Sequence, residues 1–407
     1  MRITGHAYPW DVLGDPAFTA RAFEAGVDTV ALAAAYHSTR AATPLHPRHQ
    51  LVDARYAALY RPVRDVVWAG RELSPREPDW MPTPDSFGVA AAELRAAGLK
   101  VSAWIVLTHN SGLGAEGLSV VNCFGERYRY ALCPARPEVR EYAALLAGEA
   151  VAGAEVDAVS LEACGQLGLT HGSHHEKTEG AFSPMAVRWL SVCCCPACRA
   201  LWSERGLDPA EVVDTLRAAV HAEAHGEVGE VPMSPELLGT RQESTDALRA
   251  AVLAHLATYV PDLPVTLHAH PDPWETGASP GLTPTAAADV AALVVPAWPT
   301  TSESADVVAA AVETGRDVDA YVTVLPPTDP AALPAHVTRL RDAGATGLSL
   351  YHLGLAPSWR QPLLGVRAPA RGPPRCTPVS RRRGPPTGRC APPPTGRPPT
   401  RPPTPPK

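Results

Sequence analysis

No apolar run in the chain approaches the roughly 18 residues that span a bilayer. The first residues, MRITGHAYPWDVLGDP, lack the apolar run of about 7 to 15 residues that an export signal needs. The expected setting is therefore a reducing cytoplasm, with no membrane partner. Nucleotide-binding turns are also missing: the one G-x-G-x-x-G, GLGAEG (112–117), has no helical pattern at the required offset, no G-x-x-x-x-G-K-[ST] follows any β-rich run, and HNSGLGAEG (109–117) has no Lys after it. Acids are absent from residues 366–407, which hold ten of the 36 Lys and Arg and fifteen of the 45 prolines. The remainder carries 26 basic against 42 acidic side chains, near −16. So acidic a surface repels phosphate backbones and argues against a nucleic-acid partner.

The 407 residues, 45% hydrophobic, suffice for one large core. Eight β-rich runs recur: 3–8, 27–34, 100–107, 155–162, 264–270, 289–298, 317–325 and 346–353. Helical patterns lie between them, among them DSFGVAAAELRAAG, PEVREYAALLAGEAVAG and DPAALPAHVTRLRDAG, with a longer helical region from Cys198 to Tyr259. Strands this continuously apolar are buried on both faces, which predicts an α/β fold, a (β/α)8 TIM barrel over residues 1–365. An open doubly wound sheet is the other architecture of this pattern, disfavoured by the missing phosphate turn. Connections into strands are terse (AGVD, AGLK, DAGATG) and those leaving strands are long, so the chemistry is expected at the strand C-terminal ends. Residues 366–407 read as a disordered Pro/Arg-rich tail. LAPSWRQPLLG runs straight into it where a closing helix is due, and the chain is expected to leave its ancestral reading frame near Leu364.

Residues at the strand ends form a set: His6 and Tyr8 at the first, Tyr36 and His37 at the second, His109 and Asn110 at the third, Glu162 at the fourth. His268, His270, Asp272, Trp274 and Glu275 follow the fifth, Trp298 and Glu303 the sixth, and Tyr351 and His352 the eighth. A carboxylic acid between aromatic platforms suits sugar chemistry: rings stack on sugar faces while an acid of raised pKa protonates a departing oxygen. Glu162, ending the apolar run VDAVSL, is the sharpest candidate for the acid. The alternative is a rim carboxylate paired with Arg61 or Arg136. His6, His268 and His270 could instead hold a catalytic ion, since L-H-A-H puts two imidazoles on one strand face. A barrel that binds carbohydrate without cleaving it is a third reading.

Cys193, Cys194, Cys195 and Cys198 crowd six positions of LSVCCCPACRALW. In a reducing compartment such a cluster reads as a metal clamp before a disulfide. HHEKTE (174–179) fails the H-E-x-x-H pattern, and CPAC lacks a thioredoxin-like context. YALCPARPEVREYAALL (130–146), a Glu ending the next strand and CCCPACRALW (193–202) together resemble the zinc-containing β-galactosidases of glycoside hydrolase family 42, over about a quarter of the chain. The whole chain also resembles uncharacterised alanine-rich, glycosidase-like barrel proteins. The resemblance implies a structural zinc on Cys133, Cys193, Cys195 and Cys198 and Glu162 as acid/base of an enzyme cleaving an oligosaccharide or glycoside; the residues themselves leave Cys164 or His174 as alternatives to Cys133. Two positions depart from the family. Leu161 stands where it has Asn, and VTVLPP ends the seventh strand without its nucleophilic Glu, leaving Glu303, Glu275 or Asp272 as the second carboxylate.

Overall fold

The computed structural model describes residues 1–112, 116–171, 177–178 and 180–365. The expected tail, His174 and part of HNSGLGAEG lie outside them.

Eight parallel strands close on themselves: Arg2–Ala7, Thr29–Tyr36, Lys100–Val106, Ala158–Glu162, Val265–His268, Ala292–Pro296, Asp317–Thr323 and Gly347–Tyr351. Neighbours in the barrel are neighbours in sequence, and the first strand pairs with both the second (Thr4 with Thr29) and the eighth (Arg2 with Gly347). This is the (β/α)8 barrel read from the eight apolar runs. Outward-facing Leu32, Ile105, Val159, Leu293 and Val318 on the strands are each fully buried against the helices, which is why the strands read as continuous rather than alternating apolar runs.

Helices start where sequence signals place them. Asp85 accepts from the Gly88 N–H (2.9 Å) ahead of Ser86–Ala96, and Pro137, Pro184, Pro196 and Pro209 each occupy a first helical turn. The terse returns into strands follow from Gly26, Gly98 and Gly344, whose φ values of 68°, 90° and 108° end a helix within one residue. The helical region after Cys198 resolves into Pro196–Glu204, Pro209–Ala224 and Ser234–Tyr259. After the eighth strand there is only the single turn Gln361–Leu364 among the described residues.

Long connections at the C-terminal face carry structure of their own. Thr39–Ala42 pairs with Leu51–Ala54 after the second strand, and Ser119–Val121 with Arg127–Leu132 after the third. Among the described residues, no helix is long and apolar enough to cross a membrane.

Candidate active site

Alternation along the strands stacks side chains inside the barrel. Thr4, Ser102, Ser160, Thr266 and Ser349 surround the axis near the N-terminal face. Two residues further along each strand come His6, Trp104, Glu162, His268 and Tyr351, with Tyr321 beside them on the seventh. Tyr36 joins this upper layer only because the second strand carries an irregularity: Ala33 pairs with Trp104, yet Ala35 pairs with Ile105. The extra residue reverses the facing of the strand beyond it, and a bulge at a barrel rim re-aims a side chain in this way.

Glu162 faces the bowl at the C-terminal face and lines a cavity of about 450 Å³ with Tyr36, His37, His109, His171, Glu275, Trp298, Tyr321 and Tyr351. Its Oε2 accepts a hydrogen bond from Trp104 Nε1 at 2.9 Å and lies 3.8 Å from His268 Nδ1. Burial disfavours the carboxylate and pushes the carboxyl up to about 7, although the Trp104 bond pulls the other way. His268, buried against the same layer, is pushed down to about 3 and stays neutral. The expected alternative, a pairing with Arg61 or Arg136, is not formed. Arg61 binds Asp85 and the Ala152 carbonyl, and Arg136 reaches the Gly117 carbonyl. Ala163, next to Glu162, holds a left-handed φ of 51°, fixed by its N–H to the Ala278 carbonyl (2.8 Å) and by Thr108, whose hydroxyl reaches the Ala163 carbonyl at 2.7 Å. Such a conformation in a side-chain-bearing residue costs about 1 kcal/mol or more and concentrates at functional sites.

Rings form the cavity walls. Trp298, 41% exposed, lies 5.2 Å from Tyr351 and 5.7 Å from Tyr321, centroid to centroid. Opposite, His37 stacks on His109 at 4.1 Å, and His109 Nε2 meets His171 Nε2 at 2.8 Å. Burial lowers His37 to about 4 and drives His109 well below its ordinary value, so both are neutral hydrogen-bonding groups.

Other residues expected at this site sit elsewhere. His6 and His268 share the layer of Glu162 but are not among the residues lining the cavity, and their Nε2 atoms meet Ser349 (2.8 Å) and Ser160 (3.2 Å) one layer down. His270 accepts from the Asp272 N–H within its own turn, so these three imidazoles do not converge on an ion. Asn110 donates to Tyr142 OH behind the strand. Asp272 pairs with Arg188 (3.2 Å), and Trp274 packs edge-on to Trp189. Glu303 is exposed in the first turn of Glu303–Val312 and is not among the residues lining the cavity. Of the three second carboxylates considered, Glu275 opens onto the cavity. Sequence reasoning missed Trp104, Tyr321 and His171. The first two follow from alternation, two residues after Ser102 and Asp319; His171 lies on a loop with no periodic signal.

The sulfurs of Cys133, Cys193, Cys195 and Cys198 lie within 4.8 Å of one another, all buried. Cys133 is 3.6 Å from Cys198 and 3.7 Å from Cys195. A tetrahedron of thiolates at about 2.3 Å from zinc has edges of about 3.8 Å, so the quartet fits such an ion. The seven described cysteines are free thiols, and Cys164 stands apart from the quartet, its thiol pushed up to about 12 by burial. The quartet is the only group of metal-ligand geometry among the described residues.

No protein-family model and no curated protein matches the sequence. Solved structures share the fold. An α-L-fucosidase isoenzyme 2 from Paenibacillus thiaminolyticus superposes on 90% of the chain with TM-score 0.56 and 13% identity. The PgaB (BpsB) glycoside hydrolase domain from Bordetella bronchiseptica covers 91% of the chain with TM-score 0.54 and 16% identity, and the chain covers 99% of that domain. A β-galactosidase from Bacillus circulans sp. alkalophilus covers 86% with TM-score 0.50 and 11% identity. The chain spans 48% of the fucosidase and 50% of the galactosidase. The resemblance to β-galactosidase barrels thus holds at the level of fold.

Proposed function

We propose that the chain is a glycoside-hydrolase-like enzyme acting on an oligosaccharide or glycoside. The observation that carries this reading is Glu162: a carboxyl raised to about 7, paired with no guanidinium among the described residues and aimed into a ring-walled cavity. Near neutral pH a large share of such a group is protonated, and it can deliver its proton to a glycosidic oxygen as the bond to the anomeric carbon breaks. Trp298 and Tyr351 offer faces for a sugar ring. His37 and His109, neutral and partly exposed, supply hydrogen bonds to hydroxyls. Glu275 is the second carboxylate, assisting water from the far side. It comes from the loop after the fifth strand, since the seventh ends in Thr323 and Val324.

Cys133, Cys193, Cys195 and Cys198 would hold a structural zinc. Four protein ligands leave no open position, so the ion ties the loop after the third strand to the loop after the fourth and takes no part in the reaction. Free thiols of this kind suit a cytoplasmic setting.

Carbohydrate binding without cleavage is the second reading, favoured by the exposure of Glu275. A panel of aryl glycosides separates the two. Turnover by the wild type that Glu162→Gln and Glu275→Gln each lower by about a hundredfold or more supports the enzyme. Binding without turnover supports the second reading, and equal nonzero rates in wild type and Glu162→Gln remove Glu162 from the mechanism.

A further inference from the structure

Eight-stranded barrels of this class are ordinarily plugged by layers of bulky branched side chains. Here small and hydroxyl-bearing side chains take their place: Thr4, Ser102, Ser160, Thr266 and Ser349, with Ala292, Val294 and Asp319 between them, line a cavity of about 170 Å³. Thr4 and Thr266 are only half-buried, so the cavity is reached from the N-terminal face. At its mouth Arg2 bonds Asp317 (2.9 Å) and Asp319 (3.1 Å). Apolar cavities stay dry, whereas one rimmed by hydroxyls offers each water several partners; this volume holds about five at ~30 Å³ each.

At the closed end the hydroxyls meet imidazoles. Ser160 Oγ lies 3.2 Å from His268 Nε2, and the other nitrogen of that ring, Nδ1, lies 3.8 Å from Glu162 Oε2. Nδ1 is buried and has no hydrogen-bond partner among the described residues. A single water or a small turn of the ring closes a gap of that size. His6, on the opposite wall, bonds Ser349 by its Nε2 (2.8 Å), and its Nδ1 is buried without a hydrogen-bond partner among the described residues.

We infer that the lower barrel is a solvated conduit through which Ser160 and His268 return a proton to Glu162 from the face opposite the bowl. The route rests, for its purpose, on Glu162 being a proton donor. Glu162 is a carboxylate after giving up its proton. The His268 Nδ1–H bond breaks and an O–H bond forms on Glu162 Oε2, directly or through the bridging water. His268 Nε2 takes the hydroxyl proton of Ser160, Ser160 recovers one from chamber water, and the hydroxide left there takes a proton from bulk solvent. The ring ends neutral with its proton on Nε2, and rotation of the ring, which carries that N–H round to the Glu162 side, resets it. A neutral imidazole is suited to this because it accepts at one nitrogen while donating at the other. It lets the acid be recharged while a sugar fills the bowl.

The test is hydrogen exchange of the His268 imidazole N–H with water, followed by NMR on the ¹⁵N-histidine-labelled full chain, with no glycoside present. Ser160→Val should slow it at least tenfold, Ser160→Thr should keep it near the wild-type rate, and Ser349→Val, an equal change on the opposite wall, should leave it unaltered. Overturning results are an unchanged rate in Ser160→Val, which brings the proton from the bowl, or equal slowing in both valine variants, which makes the effect one of packing. Ser160-dependent exchange in a protein inert to every glycoside would keep the conduit and sink the sugar reading.

Discussion

Replacing Glu162 by Gln should stabilise the protein, and increasingly so as the pH rises. The amide keeps the volume and still accepts from Trp104 Nε1, so packing is nearly unchanged. Ionisation is the property that changes. The carboxyl titrates at about 7 in the fold against 4.5 for the free group. A carboxyl raised by folding gives stability that is complete below its unfolded value and lost as pH climbs through its folded value. From these values the wild type loses about 1 kcal/mol near pH 5 and about 3 kcal/mol near pH 8 through this group. The advantage of Glu162→Gln should therefore grow by about 2 to 2.5 kcal/mol across that interval. Asp11, also buried and pushed up to about 7, slopes the same way in both proteins and cancels in the comparison. Urea unfolding of both at the two pH values reads the difference. Parallel stability curves would show that Glu162 is not a raised, desolvated carboxyl and would refute the reasoning.

Trp104→Phe removes the donor that holds the Glu162 carboxyl down, so the pH above which aryl-glycoside turnover falls should move upward; a downward shift contradicts the assigned bond. Elemental analysis should find one zinc per chain, lost in Cys193→Ser together with several degrees of Tm; a metal-free chain whose Tm ignores a chelator would leave the quartet as plain buried thiols. Trp298→Ala should raise KM about tenfold, the ~1.4 kcal/mol of a lost ring face, while changing unfolding free energy by no more than ~0.5 kcal/mol because the side chain is 41% exposed.

The barrel was legible because a parallel sheet covered on both sides leaves its mark on every strand, and because Gly26, Gly98 and Gly344 each close a helix just ahead of a strand. The place of Glu162 was legible for a related reason: an acid ending a buried strand comes to the mouth of the barrel, and it lines the cavity there. Side chains on loops were not. Asp272, Trp274 and Glu275 adjoin in sequence, yet one turn sends the first to Arg188, the second to Trp189 and only the third to the cavity. Asn110 follows His109, but the chain turns it behind the sheet to Tyr142. Tyr36 reaches the bowl through a one-residue irregularity that no periodicity announces. Histidine clustering by sequence suggested an ion between His6, His268 and His270. In the fold, hydroxyls one layer below, inconspicuous within the apolar strands, take up two of those rings.

A crystal structure of Glu162→Gln soaked with an intact oligosaccharide tests the central claim most directly. The account predicts a sugar ring against Trp298 and Tyr351, with its glycosidic oxygen about 2.6 to 3.2 Å from the side chain at position 162. A sugar seated with that oxygen remote from position 162, or a bowl that takes none at saturating concentration, would contradict it.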